Sequence, residues 1–283
     1  MAETRDESIT LEVLGKIAII TLNIERKLNA LTSELYYLLG KLLREVATKD
    51  EVVATVLIGN GRYFSASTKR RRPVFLVTIM YVVAFLSSTR QTGLTNRQSR
   101  IVLAVNIEVT RAFYTHPKIL ITALNGPVLG LTAGLISHSD FIYATDNAFL
   151  LTPYTSLGLV TEGASSIAFV RRMGIAKANE ALILSKRISA QELLETGFVN
   201  KLFPNQPGVS FRETVLAYVK DQLGDHLNDE SMLKAKALIR APDMDLMEQQ
   251  NAKEVFGGLE RLALGIPQAE FSKIASGAKR HKL

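Results

Sequence analysis

Two short segments carry residue types that could move a proton next to a carbonyl group. The first, residues 124–134, reads Leu-Asn-Gly-Pro-Val-Leu-Gly-Leu-Thr-Ala-Gly. A buried strand is expected to end at Asn-Gly-Pro and to lead into a helix of small residues. The first N–H groups of such a helix can approach a ligand closely and face a developing negative charge. Asn-Gly-Pro is also an ordinary turn signal, so this segment alone leaves both interpretations open.

The second segment, residues 157–163, reads Leu-Gly-Leu-Val-Thr-Glu-Gly and places Glu162 on a glycine-flanked loop in apolar sequence. A lone carboxylate among apolar neighbours has a raised pKa, which suits a general base near neutral pH. A capped or solvated loop acid is the alternative interpretation of Glu162. Taken together, N–H donors for an oxyanion and one carboxylate base predict proton transfer beside a carbonyl group.

Composition restricts the other kinds of chemistry. The chain has 283 residues, 47% of them hydrophobic, which indicates one large domain or one domain with an appendage. It has no cysteine, which excludes disulfides, thiolate metal sites and cysteine nucleophiles. Its four histidines show no ligand spacing, so we expect no metal site.

The formal net charge is +7, and part of the excess lies in residues 69–72 and 279–282. Such a balance favours solubility or an anionic partner, for example a substrate that carries phosphate groups. Basic residues interleaved with aromatic ones and zinc-finger spacing are both absent from the sequence. We therefore expect no nucleic-acid partner.

The two ends of the sequence suggest a cellular location. The first eight residues are polar and acidic, unlike a signal peptide or a transit peptide. The last three, His281, Lys282 and Leu283, differ by one residue from the Ser-Lys-Leu signal that the peroxisomal import receptor binds. The expected location is the peroxisomal matrix, reached through that receptor.

Apolar periodicity divides the chain into an α/β core over residues 1–204 and a helical region over 205–283. In the core, predicted strands alternate with helices, which is typical of parallel pairing. After Pro204 the pattern is wholly helical. The apolar faces of these helices would need a partner, so we expect subunits to associate. The predicted strands are Ile9–Val13, Ile17–Leu22, Val53–Ile58, Ile119–Leu124, Phe141–Ala144 and Val199–Phe203. The main predicted helices begin near Thr32, Val105, Leu131, Ser165, Lys177, Ala190, Ser210, Asp229, Leu246 and Gln268.

Residues 67–98 do not fit this pattern. Four basic residues are followed by sixteen almost wholly apolar ones, 73–88, and then by a polar stretch. Sixteen residues are few for a membrane span, so we expect no span and favour a buried strand or helix over the active site. A retained intron in the gene is a further interpretation of this segment.

Several motifs, in order along the chain, resemble the crotonase (enoyl-CoA hydratase/isomerase) superfamily. They are Leu-Asn-Ala-Leu at 28–31, Tyr-Phe-Ser at 63–65, Arg-Ala-Phe at 111–113, and the two segments described above. Within the superfamily the pattern is most similar to the Δ3,Δ2-enoyl-CoA isomerases of fungal peroxisomes. The resemblance implies a spiral of ββα units that forms two nearly perpendicular sheets. It also implies a C-terminal helical region that assembles homotrimers or homohexamers.

The same resemblance implies roles for individual residues and an acyl-CoA substrate. The thioester oxygen would lie between the N–H groups of Leu131 and Thr68, and Glu162 would be the base. CoA would be part of the substrate, with no separate cofactor. Ala30 would contact the adenine and Arg26 the phosphates of CoA. Asn106 would orient Glu162 or a water, or would be an ordinary surface or capping amide.

Absent acids favour one subclass within this superfamily. Enoyl-CoA hydratases use two glutamates, at the positions of Gly134 and Tyr154, and dienoyl-CoA isomerases also need an acid at the second. We therefore expect isomerisation of 3-enoyl-CoA to 2-enoyl-CoA, and we expect acids added at both positions to introduce hydration. The family's Gly-Ala-Asp is replaced by Ser67-Thr68-Lys69. That change favours an alternative, a catalytically weak CoA-binding paralogue that assembles with an active isomerase.

Overall fold

The computed structural model describes residues 7–66, 97–205 and 210–279. Its larger sheet has six strands in the order β1-β2-β3-β4-β6-β9. Their bounds are β1 Ile9–Leu14, β2 Ile17–Leu22, β3 Ala54–Gly59, β4 Ile119–Leu124, β6 Phe141–Thr145 and β9 Lys201–Phe203. β1 and β2 form the predicted antiparallel hairpin, and every other pair is parallel. The predicted α/β class with parallel pairing is confirmed.

A smaller sheet lies beside the segments that carry the candidate chemistry. It contains β5 (Val128–Leu129), β7 (Phe149–Leu151) and β8 (Ile188–Ser189), in that order. β5 pairs in parallel with β7, and an isolated parallel bridge joins Ser65 to Val128. The Tyr63-Phe64-Ser65 and Asn-Gly-Pro motifs, far apart in sequence, are therefore neighbours in space.

The helices agree with the sequence prediction apart from one merger and one earlier start, since the helix predicted from Val105 begins at Arg97. Thr32 caps α1, since its Oγ1 accepts the Leu35 N–H at 3.4 Å. The helices predicted near Ser165 and Lys177 form a single helix, α4, kinked at Gly174. The bounds are α1 Ser33–Ala47, α2 Arg97–Tyr114, α3 Leu131–Ile136, α4 Ser165–Leu182, α5 Ala190–Glu195, α6 Phe211–Gln222, α7 Asp229–Arg240, α8 Met244–Ala263 and α9 Ile266–Ala275. Short 3₁₀ helices span Glu25–Lys27, Thr155–Leu157 and Ala241–Asp243.

The large sheet is covered on both faces. One face contributes Ile20, Leu57 and Leu124 to a core that also contains side chains from α1, α2 and α4. The other face packs Ile19, Val56 and Ile121 against α6. Because parallel strands are buried on both sides, their near-continuous β-branched sequence is explained. The helices after Pro204 thus pack directly onto the core that precedes them.

Some predictions concern residues outside the described part. These are the apolar segment 73–88, Thr68 and the tail 281–283. Over residues 7–66, 97–205 and 210–279, no helix is both long enough and apolar enough to cross a membrane.

Candidate active site

The Asn-Gly-Pro segment fixes the end of β4. The Asn125 Oδ1 accepts the Gly59 N–H at 3.1 Å, and its Nδ2 donates to the Gly61 carbonyl at 2.7 Å. A side chain on Gly126 would collide with the Arg62 carbonyl. One amide and one glycine therefore join the ends of two neighbouring parallel strands, which sets the path of the chain into α3.

Leu131 is the first residue of α3, as predicted. Gly130, just before it, has φ 63° and ψ −139°, a conformation that glycine adopts and other residues avoid. The Gly130 N–H donates to Leu151 of β7 at 2.9 Å. Among the described residues, no acceptor is bonded to the Leu131 N–H. This N–H, at the positive end of a buried helix, is thus available to an anionic group.

Glu162 lies on the loop between the 3₁₀ helix Thr155–Leu157 and α4. After it, Gly163 has φ 76° and Ala164 has φ 52°. Two consecutive left-handed residues, one with a side chain, make a sharp and strained turn of the kind found at functional sites. This turn brings the loop against α3: a Cβ on Gly163 would lie 3.3 Å from the Leu131 side chain. The two segments singled out in the sequence are in direct contact.

Gly134 makes that contact possible. A Cβ on Gly134 would lie 2.5 Å from the Glu162 carbonyl oxygen, well inside the contact distance of two atoms. The expectation that acids at 134 and 154 would add hydration therefore stays a prediction, and it requires the Glu162 loop to move. A glutamate at 134 cannot be accommodated while the Glu162 loop keeps this position.

His138 holds the same loop from the other side. Its Nε2 lies 2.8 Å from the Gly163 carbonyl oxygen, which accepts only, so Nε2 carries the proton. Burial lowers the pKa of His138 to about 4 despite that hydrogen bond. The imidazole is therefore neutral near physiological pH, and it contacts Tyr114 edge-on. It acts as a fixed donor to the loop.

The electrostatics at Glu162 suit a base. Burial, and next the negative charge of Glu254, raise the pKa of the Glu162 carboxyl to about 7. At that pKa the group is part ionised and part protonated near neutral pH, so it can both take up and release a proton. The sequence prediction of a lone acid among apolar neighbours agrees in direction, although the acid has a second carboxyl nearby.

Glu254, on α8, is that second carboxyl. Its side chain is buried, with 4% exposed, and burial raises its pKa. Its Oε1 accepts the N–H of Ser166 at 2.9 Å, in the first turn of α4. In the described part of the chain Oε2 has no hydrogen-bond partner. Glu254 thus ties α8 to the helix that follows the Glu162 loop.

Tyr154 occupies one of the positions where a hydratase would carry an acid. It is 1% exposed, and its hydroxyl donates to the Gly130 carbonyl at 3.0 Å. Burial, then the charges of Glu162 and Glu254, raise the pKa of Tyr154 well above its ordinary value. It is therefore a hydrogen-bond donor at this site and does not serve as an acid.

A buried polar network joins the remaining segments. The Ser65 hydroxyl donates to the Asn29 carbonyl at 2.9 Å and contacts the Thr132 hydroxyl at 3.1 Å. Tyr36 bonds to the same Thr132 hydroxyl at 2.9 Å. The Asn29 side chain, fully buried, bonds Ile24 N–H and the carbonyls of 60 and 63. The network fixes the Leu28–Leu31 loop beside Ser65 and the start of α3.

The other predicted residues lie on separate elements of the fold. Ala30 is half-buried on the loop held by Asn29, and Arg26 is exposed in the adjacent 3₁₀ helix. Asn106 is half-buried in α2, and no hydrogen bond among the described residues joins its amide to Glu162. In these residues no cluster of three or more His, Asp or Glu could hold a metal ion.

The sequence did not indicate the roles of His138 and Glu254, and it indicated Tyr154 only as the position of a missing acid. Each acts on a backbone group or a charge that is near only in the folded chain. Isolated buried polar residues in apolar sequence were the one available signal, and that signal does not identify a partner.

The comparisons with known proteins agree with this geometry. The family model described as enoyl-CoA hydratase/isomerase matches residues 85–255, more than half of the chain. The chain belongs to this family, the crotonase superfamily. The predicted family and fold class are confirmed.

Two curated relatives carry two different isomerase names. A protein of Pyricularia oryzae, named Delta(3,5)-Delta(2,4)-dienoyl-CoA isomerase, is 50% identical over 97% of this chain and 98% of its own. A protein of Saccharomyces cerevisiae, named 3,2-trans-enoyl-CoA isomerase, is 29% identical over 99% of this chain and 98% of its own. The first name runs against the expectation drawn from the missing acid at Tyr154.

The fold is that of solved members. An enoyl-CoA hydratase from Bacillus halodurans superposes with a TM-score of 0.80, covering 94% of this chain and 99% of its own, at 18% identity. At that identity the match establishes the spiral fold and its C-terminal helices, and says nothing of the reaction.

Proposed function

We propose that the protein catalyses the isomerisation of 3-enoyl-CoA to 2-enoyl-CoA. The observation that carries this proposal is the position of Glu162: its carboxyl has a pKa raised to about 7, and the loop that carries it contacts the helix start that offers the Leu131 N–H. The positions of Gly134 and Tyr154 provide no second acid. A site with one proton carrier suits a transfer between two carbons on the same side of the substrate.

The steps follow from these groups. Glu162 removes a proton from C2, the pair of the C2–H bond forms a C1=C2 double bond, and the π pair of the C1=O bond moves onto the oxygen to give an enolate-like oxyanion. The Leu131 N–H stabilises that oxygen, and in the proposal the Thr68 N–H is the second donor. One such donor is worth roughly 3–4 kcal/mol in comparable sites. The protonated Glu162 then gives its proton to C4 and the double bond forms between C2 and C3, so atoms and charge balance.

The acyl-CoA binding proposal depends on the loop 28–31. Ala30 lies on a loop fixed by the buried Asn29, next to exposed Arg26, so its backbone is held still where an adenine would bind. Arg26 is free of ion pairs with described residues and can meet phosphate. We propose no separate cofactor, since the thioester supplies the electron sink.

A dienoyl-CoA isomerase is the second candidate, and the 50% identical relative favours it. That reaction moves a proton from C2 to C6, four bonds away, whereas C2 and C4 are two bonds apart. A single carboxyl spans the shorter distance more readily. The site therefore favours the 1,3-shift, while the relative's name favours the 1,5-shift.

One assay separates these functions. Purified protein is given 3-hexenoyl-CoA and 3,5-octadienoyl-CoA side by side, and the conjugated products are followed by ultraviolet absorbance. A larger kcat/KM for the first substrate supports the proposal, and a larger value for the second makes the protein a dienoyl-CoA isomerase. Turnover of neither, with acyl-CoA binding kept, supports the CoA-binding paralogue.

The location and assembly are also proposals. We propose import into the peroxisomal matrix through His281, Lys282 and Leu283, because this tripeptide is so similar to Ser-Lys-Leu. We propose a homotrimer or homohexamer because Leu238, Ile239, Phe256 and Leu264 of the C-terminal region are each at least 65% exposed. Removal of residues 281–283 from a tagged protein and light scattering of the purified protein test these two points.

A further inference from the structure

Among the described residues, the peptide group between Gly130 and Leu131 has a polar partner on only one side. A peptide's C=O and N–H point in opposite directions. In this group the carbonyl accepts the Tyr154 hydroxyl at 3.0 Å, and the N–H is the one available to an anion. The carbonyl also accepts the N–H groups of Ala133 at 3.0 Å and Gly134 at 3.3 Å, as α3 begins.

Glycine at 130 makes such a peptide hard to hold. A Cβ there would have nothing within 4 Å, so glycine is required by the backbone conformation and not by lack of space. Because glycine allows most φ/ψ combinations, the peptide that follows can rotate and turn its N–H away. A hydrogen bond to the carbonyl, from a donor that cannot move, opposes this rotation.

Tyr154 is such a donor. Its side chain is 1% exposed and packs in the main hydrophobic core, so its ring has one position. The raised pKa of its hydroxyl keeps the proton on the oxygen throughout the working pH range. In a buried site, a hydrogen bond to a peptide carbonyl also strengthens the N–H of the same peptide as a donor.

We propose that Tyr154 is a positioning residue for the oxyanion donor: its hydroxyl holds and polarises the Gly130–Leu131 peptide through the Gly130 carbonyl. The inference rests on the proposed function, in which the Leu131 N–H binds the thioester oxygen. It gives the side chain at this position a role in the reaction without proton transfer.

The test is Tyr154→Phe, with Tyr143→Phe as the matched control. Tyr143 is also buried, at 6% exposed, but lies in the core on the other face of the large sheet. We expect kcat of Tyr154→Phe to fall about tenfold with little change in KM, because the lost interaction matters most when charge develops on the oxygen. Tyr143→Phe is expected to keep wild-type kcat.

A spectroscopic measurement separates positioning from packing. Hexanoyl-CoA labelled with ¹³C at C1 cannot isomerise, and its infrared carbonyl stretch shifts to lower frequency when hydrogen-bond donors polarise the thioester. We expect a shift on binding to the wild type and to Tyr143→Phe, and a smaller one in Tyr154→Phe. 3-Fluorotyrosine at 154, a stronger donor that keeps the hydroxyl, should enlarge the shift, and it serves if the phenylalanine variant folds poorly.

The outcomes are distinct. No shift in the wild type would contradict the proposed oxyanion function itself. A wild-type shift that Tyr154→Phe and the fluorotyrosine variant reproduce unchanged would overturn the role of Tyr154 alone. A reduced shift in Tyr154→Phe with a wild-type value in Tyr143→Phe supports it.

Discussion

The Leu131 N–H and the Glu162 carboxyl lie on segments in direct contact, yet the fold holds them differently. The peptide that carries the N–H is bonded through its carbonyl to Tyr154 and to the next turn of α3. The Glu162 loop is held through its backbone, by the hydrogen bond of His138 to Gly163 and by the contact with Gly134. The pKa of the Glu162 carboxyl is raised by burial and by the charge of Glu254.

The difference corresponds to what the proposed reaction requires of each group. A donor to a developing charge works best when it does not move, because it then costs no reorganisation. A base that carries a proton from one carbon to another must reach both carbons. It also needs a pKa near the working pH, so that it can both accept and release the proton. A peptide fixed by hydrogen bonds suits the oxyanion donor. A carboxyl with a raised pKa, on a loop whose backbone is held in place, suits the base.

Removing the base should have the largest effect. In Glu162→Gln the amide keeps the shape and cannot accept the proton, so kcat should fall by about 10²–10⁴-fold while acyl-CoA still binds. Stopped-flow turnover and calorimetric titration with hexanoyl-CoA measure the two quantities. A variant that keeps more than about a tenth of wild-type kcat would place the base elsewhere.

Changing the contact between Gly134 of α3 and the Glu162 loop should have the next largest effect. In Gly134→Ala the new Cβ would lie 2.5 Å from the Glu162 carbonyl, so the loop must move. We expect a loss of about 1–3 kcal/mol in the free energy of unfolding, the usual cost of overpacking, together with a lower kcat. Urea unfolding and turnover measure both.

The control for this substitution is Gly258→Ala in α8, where a Cβ meets nothing within 4 Å. Alanine is the better helix former, so that variant should be neutral or more stable by up to about 1 kcal/mol. Equal behaviour of the two variants would show that the Gly134 contact does not position the loop.

Substitution of Glu254 tests how its charge affects the pKa of Glu162. Glu254→Gln can still accept the Ser166 N–H, so the tie to α4 is kept while the negative charge is lost. The pKa of Glu162 should fall below about 7 because the nearby negative charge is gone, and the acid limb of the kcat/KM profile should move to lower pH with it.

Ionisable residues on other elements also interact with the charge of Glu254. Glu162 and Tyr154 are the ionisable groups coupled to it, and the start of α4 favours its negative form. Exposed Glu260, on the same helix, provides the control: Glu260→Gln removes an equal charge that solvent screens. If both variants shift the pH profile equally, the charge of Glu254 affects the pKa of Glu162 no more than the charge of Glu260 does.

The smallest effect concerns stability. The pKa of Glu162 is about 7 in the folded chain against 4.5 for the ordinary side chain, so the folded state holds the proton more tightly. The free energy of unfolding therefore falls as pH rises from about 4.5 through about 7. Glu162→Gln should be more stable than the wild type by on the order of 1–3 kcal/mol near pH 8, with the gap closing toward about pH 4. Chemical unfolding at both pH values measures it, and a gap that is independent of pH would contradict the raised pKa.

The sequence predicted the architecture well because its signals are local. The β-branched run at Val53–Ile58, the Thr32 cap and the small residues after Asn125 each act within a few positions of themselves. A resemblance that covers both segments also assigned Leu131 and Glu162 to one site, and the structure shows the two segments in contact. Here pattern and fold agree because the central strands β2, β3 and β4 are buried on both faces.

The supporting residues could not be predicted in the same way. Tyr154 was noted only for the acid it replaces, although its hydroxyl reaches a carbonyl 24 positions earlier in the chain. Glu254 lies 92 residues beyond Glu162, in a helix whose own pattern shows only an amphipathic surface. Such contacts depend on how separate elements pack, and no sequence period records them.

The close packing of Gly134 on the Glu162 carbonyl has a consequence for how this chain can evolve. The hydratase arrangement needs an acid at 134, and that acid cannot enter until the loop has withdrawn. Withdrawal of the loop, however, displaces Glu162, the proposed base. A lineage that changes one residue at a time must therefore lose isomerisation before it gains hydration, so the order of its mutations is constrained and the intermediate is inactive. Divergence of the two activities from such an ancestor would require a duplicated gene, in which one copy can pass through the inactive intermediate while the other keeps the original activity.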